Sequence, residues 1–402
     1  MPVLASAVLV SIQLTGNVLN VPTILDSVSK ALGLQSTSQG LLLSAPVLST
    51  ALGAIPGGIL SERVGIRWAT AAGVSLLGAA GLLRGFVQTF PVLLLFTFLV
   101  GAGYGLSLPN MAKVVSKFFP RKLAGTASGI YTGGLSLGAI LGLTLGPTLI
   151  SVTGSWRGVF IAWGAAALVT GLIWFVVIQE QPKSEPFSSR GQMSSFFMMR
   201  RMMASRGVLA LAGLFFMGNI LFYVETGWLK QFFDWRWGDP ATSLVLVSFL
   251  AAPFLPSNIV IPALSDKLGS RKLFLVVLGV VSAAAGYCLV LPSQGLAFFL
   301  VPLLGLSVSA EFALCLTLPV ELVESRYVGA ASGFSVSVGY VGGVVGPFAV
   351  GVLRQETGGF DFLPMILAGV SVIFAFLALL IPESGWRAKK GPVAEDFHAG
   401  RG

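Results

Sequence analysis

The chain has 402 residues, 55% of them hydrophobic and only 10% charged, with 50 glycines and a formal charge of +9. Soluble domains carry about 25% charged residues and about 7% Gly, so this composition excludes an ordinary soluble domain and places the chain in a bilayer. Cys288 and Cys315 lie inside apolar runs and His398, the one histidine, in a polar tail. No disulfide framework, metal site or bound cofactor is expected from them.

Apolar runs long enough to cross roughly 30 Å of hydrocarbon, about 20 residues each, fall at 3–24, 39–60, 69–88, 91–113, 124–150 and 157–178. Six more fall at 206–228, 242–264, 273–291, 295–319, 328–352 and 362–381. The first begins almost at Met1 without a basic n-region or cleavage site, so it reads as a retained helix and not a signal peptide. A start codon set slightly too late would leave the same short beginning. Between the sixth and seventh runs, 179–205 is a polar linker opening on Gln179–Pro186. Its second part, Met193–Met203, sets methionines beside Arg200 and Arg201. It reads as a positive anchor leading into the seventh span, or as a short helix on the inner leaflet. The expected organisation is a bundle of six helices over 1–178, the linker over 179–205, a second bundle over 206–381 and a tail over 382–402.

Twelve spans put both termini on one side. Of the 25 Lys and Arg residues, 18 fall on that side, and only Lys30, Arg84, Arg157, Lys230, Arg236 and Arg354 on the other. Positive residues are retained in cytoplasmic loops, so both termini are expected in the cytoplasm and the protein in the inner (plasma) membrane. Topology and attraction to anionic lipid of the inner leaflet account for the net charge. Nucleic-acid binding is not needed to explain it.

The twelve residues Gly57–Trp68 recur in altered form at Ile261–Lys272, 204 positions later. The same offset carries Ala127-Ser128-Gly129 onto Ala331-Ser332-Gly333, and Gly138 and Gly142 onto Gly342 and Gly346. The chain therefore reads as a duplicated unit: an all-α polytopic membrane protein of twelve transmembrane helices in two pseudo-symmetric bundles of six.

These two repeats, the Gly58-x-x-x-Glu62-Arg63-x-Gly65-x-Arg67 loop after the second span, and its echo after the eighth resemble the major facilitator superfamily along the whole chain. In the family's pattern the acid is usually Asp, where the first copy has Glu62; the second has Asp266, with Lys267 in place of Arg. Both changes keep the charge. The resemblance implies a cytoplasmic gate made of Glu62, Arg63, Gly65, Arg67, Asp266, Lys267, Gly269 and Arg271, in which acids and bases at helix ends pair in one conformation and part in the other. It also implies a monomeric carrier of a small solute with no enzymatic chemistry. The stretches Gly40–Leu48, Asn219–Leu229 and that from Ala331 onward look like the cyanate-permease and nitrate-porter side of the superfamily.

Gly133, Gly142, Gly146 and Pro147 in the fifth span follow a spacing best known from drug/proton antiporters of that family, although its closing Gly-Gly is Ile150-Ser151 here. With Gly346 and Pro347 in the eleventh, they read as hinge and packing surfaces. In this architecture solute binds near mid-membrane between the halves. The polar candidates are Gln13, Asn17 and Asn20 on one face of the first span; Tyr104, Ser107 and Asn110 in the fourth; and Tyr131 in the fifth. The second half adds Asn219 and Tyr223, then Asn258, Glu311 and Tyr340. A carboxyl deep in a span costs roughly 2.5–3.5 kcal/mol unless protonated, paired or wet, which makes Glu311 the leading proton-coupling candidate. Glu225 is the second, unless it pairs with nearby Lys230. Lys113 sits so close to the cytoplasm that it is expected to snorkel.

No span has a central Arg or Lys. That argues against nitrate and organic-phosphate carriers and leaves neutral or cationic solutes, or monoanions moving with a proton. No phosphate-cradling loop for ATP is present. The expected function is secondary transport by alternating access, coupled to protons. Multidrug efflux is the alternative within transport; a transport-inactive receptor on the same scaffold is the alternative outside it.

Overall fold

The computed structural model describes residues 2–179, 205–291, 293–323 and 328–382. Every regular element among them is helical. With no water to serve the backbone in hydrocarbon, each N–H and C=O must be satisfied within its own segment, and a helix achieves this. In chain order the helices are α1 (Pro2–Leu19), α2 (Val21–Leu32), α3 (Ser36–Leu83), α4 (Phe90–Phe118), α5 (Arg121–Thr153), α6 (Trp156–Val177) and α7 (Arg206–Trp237). They continue with α8 (Pro240–Ala251), α9 (Phe254–Leu268), α10 (Arg271–Cys288), α11 (Gln294–Leu322), α12 (Val328–Thr357) and α13 (Leu363–Leu380). The linker from 180 to 204 and the tail from 383 lie outside the described residues, as does the amphipathic segment expected at 193–203.

Eleven helical stretches among the described residues are long and apolar enough to cross a bilayer. Two are compound: α1 continues into α2 through Asn20, just before Pro22, and α8 into α9 past Pro253. The stretch Ser36–Phe86 does the reverse. It runs 51 residues, or about 75 Å at 1.5 Å per residue, and breaks at Gly65, where φ is 88° and ψ 161°. It therefore supplies two crossings, which makes twelve in all.

Positive φ among the described residues is confined to glycines. Two of them, Gly65 and Gly154, have mates 204 positions on, Gly269 and Gly358, in the same region. A Cβ is disfavoured there, so the duplication persists in the chain's turns. At the start of α8, Asp239 accepts the backbone N–H groups of Ala241 and Thr242 at 3.1 and 3.4 Å. The Thr242 hydroxyl, with these amides, holds its carboxyl below the usual range.

The described residues cluster into two compact units. The first takes in the described part of Met1–Ser184 together with Tyr223–Leu255 and Val344–Phe360. In it, α5 presents a glycine every fourth residue to α1 and then to α2. A Cβ added at Gly138 would stand 2.4 Å from the Ile12 carbonyl oxygen, at Gly142 3.1 Å from that of Gly16, and at Gly146 2.1 Å from Thr23 Oγ1. Lipid tails are as apolar as Leu, so close backbone approach, not hydrophobicity, holds such helices together.

The second unit takes in α7 up to Phe222, Pro256–Gly343 and α13. Here α12 meets α7 in the same way: a Cβ at Gly342 would stand 2.2 Å from the Phe216 carbonyl oxygen. Gly138 and Gly342 are one repeat apart, and so are Ile12 and Phe216. One contact is built twice.

Candidate functional site

Glu311, midway along α11, is fully buried in the second unit. Its pocket is walled by Leu214, Phe215, Gly218 and Asn219 of α7, Phe312 and Cys315 of its own helix, and Phe374 of α13. Two residues singled out on separate spans, Asn219 and Glu311, thus line one pocket. Asn219 Nδ2 donates to the Phe215 carbonyl at 2.8 Å, which fixes its orientation. The chemistry open to a carboxyl so enclosed is the uptake and release of one proton. Asn258 has another partner, accepting from Ser309 Oγ at 3.0 Å, and Tyr340 is half-buried on α12.

In the first unit, three candidates from three helices come together. Tyr104 of α4 is within electrostatic reach of Tyr131 of α5 and of Tyr223 of α7. Tyr223 also lines a pocket with Pro22 of α2, Leu43 of α3, and Thr226 and Gly227 of its own helix. Phenols offer a ring face to apolar surface and a hydroxyl that donates or accepts, which suits a small polar organic solute.

Four of the remaining candidates, Gln13, Asn17, Ser107 and Asn110, bond within the helix packing. Asn17 Nδ2 donates to the Gln13 carbonyl at 3.1 Å, to Gln13 Oε1 at 3.2 Å and to the Trp163 carbonyl of α6 at 3.4 Å. Asn20 is fully buried, and neither amide atom has a hydrogen-bond partner among the described residues. Ser107 Oγ donates to Gly103 O at 2.9 Å, and Asn110 Nδ2 to Leu106 O at 3.0 Å. Glu225 is fully buried with both carboxyl oxygens lacking a hydrogen-bond partner among the described residues. Lys230 is not its partner: that amine donates to Asp26 at 2.7 Å and Asp234 at 2.5 Å.

The two charged corners differ. At the first, Lys113 Nζ lies 3.3 Å from Glu62 Oε1 and also donates to the Gly58 carbonyl at 2.9 Å and Ser61 Oγ at 2.8 Å. Lys113, expected to snorkel, is partly exposed and ties its own helix to the stretch of α3 before the Gly65 break. Arg67 Nε donates to the Phe175 carbonyl at 2.9 Å, with its guanidinium 4.1 Å over that ring. At the second corner Arg271, the repeat mate of Arg67, bonds Asp266, Glu321 Oε1 at 3.2 Å and the Pro262 carbonyl at 3.2 Å. Arg63 and Lys267 are exposed.

Exposure predicts unequal costs. The Arg271 side chain is 9% exposed and that of Glu62 74%. Arg271→Ala removes the buried base that Asp266 and Glu321 share and should lower unfolding stability by about 1–3 kcal/mol, whereas Glu62→Gln should cost about 0–1 kcal/mol. Thermal unfolding in detergent checks both; equal losses would contradict the assignment.

A family profile for the Major Facilitator Superfamily matches residues 5–347 and 234–398. The chain belongs to the major facilitator superfamily. Within the superfamily it is 26% identical over 379 residues to the uncharacterized transporter YycB of Bacillus subtilis (strain 168), covering 91% of this chain and 89% of the relative. It is 26% identical over 376 residues to the hexuronate transporter of that organism, covering 87% and 86%. It is 23% identical over 373 residues to the cyanate transport protein CynX of Escherichia coli (strain K12), covering 91% and 94%. The fold matches a bacterial homologue of the human lysosomal transporter Spinster, solved inward-facing and unoccupied, at TM-score 0.71 and 18% identity over 94% of each chain. This superfamily member is thus a multi-pass secondary transporter with a small-molecule substrate.

The sequence reading missed two features of this superfamily protein. Arg84, read as a loop cation, is fully buried, donates from Nη2 to the Asn17 carbonyl at 3.0 Å and lies 4.3 Å over the Phe160 ring. Its place inside the apolar run 69–88 was the available signal. The second feature, Lys230 with Asp26 and Asp234, was hidden in the repeat itself: Asp26 and Lys230 are 204 positions apart.

Proposed function

We propose that the protein is a proton-coupled carrier of small organic monoanions, working by alternating access with both termini in the cytoplasm, and that Glu311 carries the proton. The observation behind this reading is the fully buried Glu311 sharing a pocket with Asn219. A proton on a cavity carboxyl lets a monoanion cross without a dedicated arginine clamp. Two relatives point the same way, since hexuronate and cyanate are both anions. Tyr104, Tyr131 and Tyr223 line the solute path, Glu225 is the reserve proton site, and the Glu62 and Asp266 corners form the cytoplasmic gate. Of the fifth-span glycines that favoured efflux, Gly142 packs against α1 and Gly146 against Thr23 of α2, a packing role that needs no export function.

The test is uptake into proteoliposomes of the purified protein after a pH jump, against a panel of monocarboxylates, cyanate, neutral metabolites and lipophilic cations. The expected result is uptake of a monoanion that stops when a protonophore collapses the gradient. Accumulation of a lipophilic cation, or monoanion uptake indifferent to the protonophore, overturns the proposal.

A further inference from the structure

Asp26 of α2 and Lys230 of α7 are the same position in the two repeats, and they touch: Lys230 Nζ lies 2.7 Å from Asp26 Oδ2. A residue that meets its own repeat mate sits on the axis relating the two helices, where an unchanged duplicate would set like against like. Opposite charges there turn an unfavourable contact into a bond. Lys230 also donates to Asp234, one turn on, at 2.5 Å, and Arg354 of α12 acts electrostatically on Asp26. Two acids and two bases from three helices therefore balance.

Neutral contacts extend this seam. Gln231 Nε2 donates to the Pro22 carbonyl at 3.1 Å, Trp228 Nε1 to the Pro347 carbonyl at 3.0 Å, and Arg354 Nη1 to Gln39 Oε1 at 2.9 Å. All lie within the first unit. The pocket beneath shares their elements: Pro22 lines it, and so do Thr226 and Gly227, one turn before Lys230. On α7 one stripe, Tyr223, Thr226, Lys230 and Asp234, runs from pocket to seam.

We propose that Lys230 is a positioning residue of the transport cycle: with Asp26, Asp234 and Arg354 it forms a charge latch that closes the Tyr223–Thr226 pocket on the side away from the termini. Lys230 does this by neutralising two carboxylates on facing helices. Without it Asp26 and Asp234 repel, and the seam opens. The side named rests on the proposed orientation; the latch itself does not.

Thr226→Cys in the full-length protein reports pocket access through labelling by a membrane-impermeant maleimide, above the labelling of the native cysteines. Adding Lys230→Gln should speed labelling about tenfold, equivalent to ~1.4 kcal/mol, while Lys230→Arg keeps the pocket protected. Adding Asp26→Asn and Asp234→Asn to Lys230→Gln removes the repulsion and should restore protection, which a misfolded protein would not show. Equal labelling in Thr226→Cys and its Lys230→Gln derivative overturns the latch, and so does a triple-neutral variant as reactive as Lys230→Gln. Acceleration seen only with reagent on the side of the termini keeps the latch and overturns the orientation. No transported solute is needed, so failure here is separable from failure of the monoanion reading.

Discussion

Glu311→Gln should abolish uptake driven by a pH gradient, by about a hundredfold or more, while exchange of labelled for unlabelled solute stays within about twofold of the parent. Glutamine has nearly the volume of a protonated glutamate and keeps its hydrogen-bonding capacity, but cannot release a proton. Net proton-coupled flux needs the carboxyl to load and unload once per cycle. Exchange needs only the loaded form. Because the pocket around Glu311 is walled by Leu214, Phe215, Phe312 and Phe374, a neutral isostere fits without a new unpaired charge, and the thermal midpoint should not fall. Glu311→Asp should restore part of the gradient-driven uptake. Unimpaired pH-driven uptake by Glu311→Gln moves the coupling site elsewhere, with Glu225 next in line.

Gly138→Ala and Gly342→Ala should each destabilise the protein by about 1–3 kcal/mol, the usual cost of overpacking, although Ala is the better helix former by about 1 kcal/mol. At these positions a Cβ would stand 2.4 Å from the Ile12 carbonyl oxygen and 2.2 Å from that of Phe216. A backbone carbonyl cannot swing aside as a side chain can, so the whole helix must move. Gly129 and Gly333 are the controls: they too are repeat mates, and an added Cβ at either meets nothing within 4 Å. There the same substitution should be neutral or stabilising. Thermal unfolding of the four variants in one detergent decides it; a Gly138→Ala protein as stable as Gly129→Ala would show that α1 and α5 are not held by close approach.

Much of the architecture was legible before any coordinates, for reasons that are local. A bilayer demands about 20 apolar residues per crossing, so hydropathy alone located the spans, and the 204-residue offset located the repeat. Gly65 and Gly269 were legible as matching members of a repeated loop, and the structure gives both a positive φ. Glu311 and Asn219 could be chosen because polarity stands out in an apolar span.

Partners were not legible, because helical periodicity tells which face a residue occupies and not what that face meets. Asn17 and Tyr104 looked equally like cavity residues, yet Asn17 bonds Gln13 and Trp163 while Tyr104 lies near Tyr131 and Tyr223. Arg67 and Arg271 hold equivalent places in one motif, but one bonds a carbonyl and stacks on Phe175 while the other gathers Asp266 and Glu321. Composition, period and offset determined the membrane class, the twelve crossings and the duplicated unit, because each follows from forces acting within a segment. Only the tertiary structure decided that Lys230 answers Asp26 and Asp234 and leaves Glu225 without a hydrogen bond among the described residues, because pairing depends on which helices lie side by side.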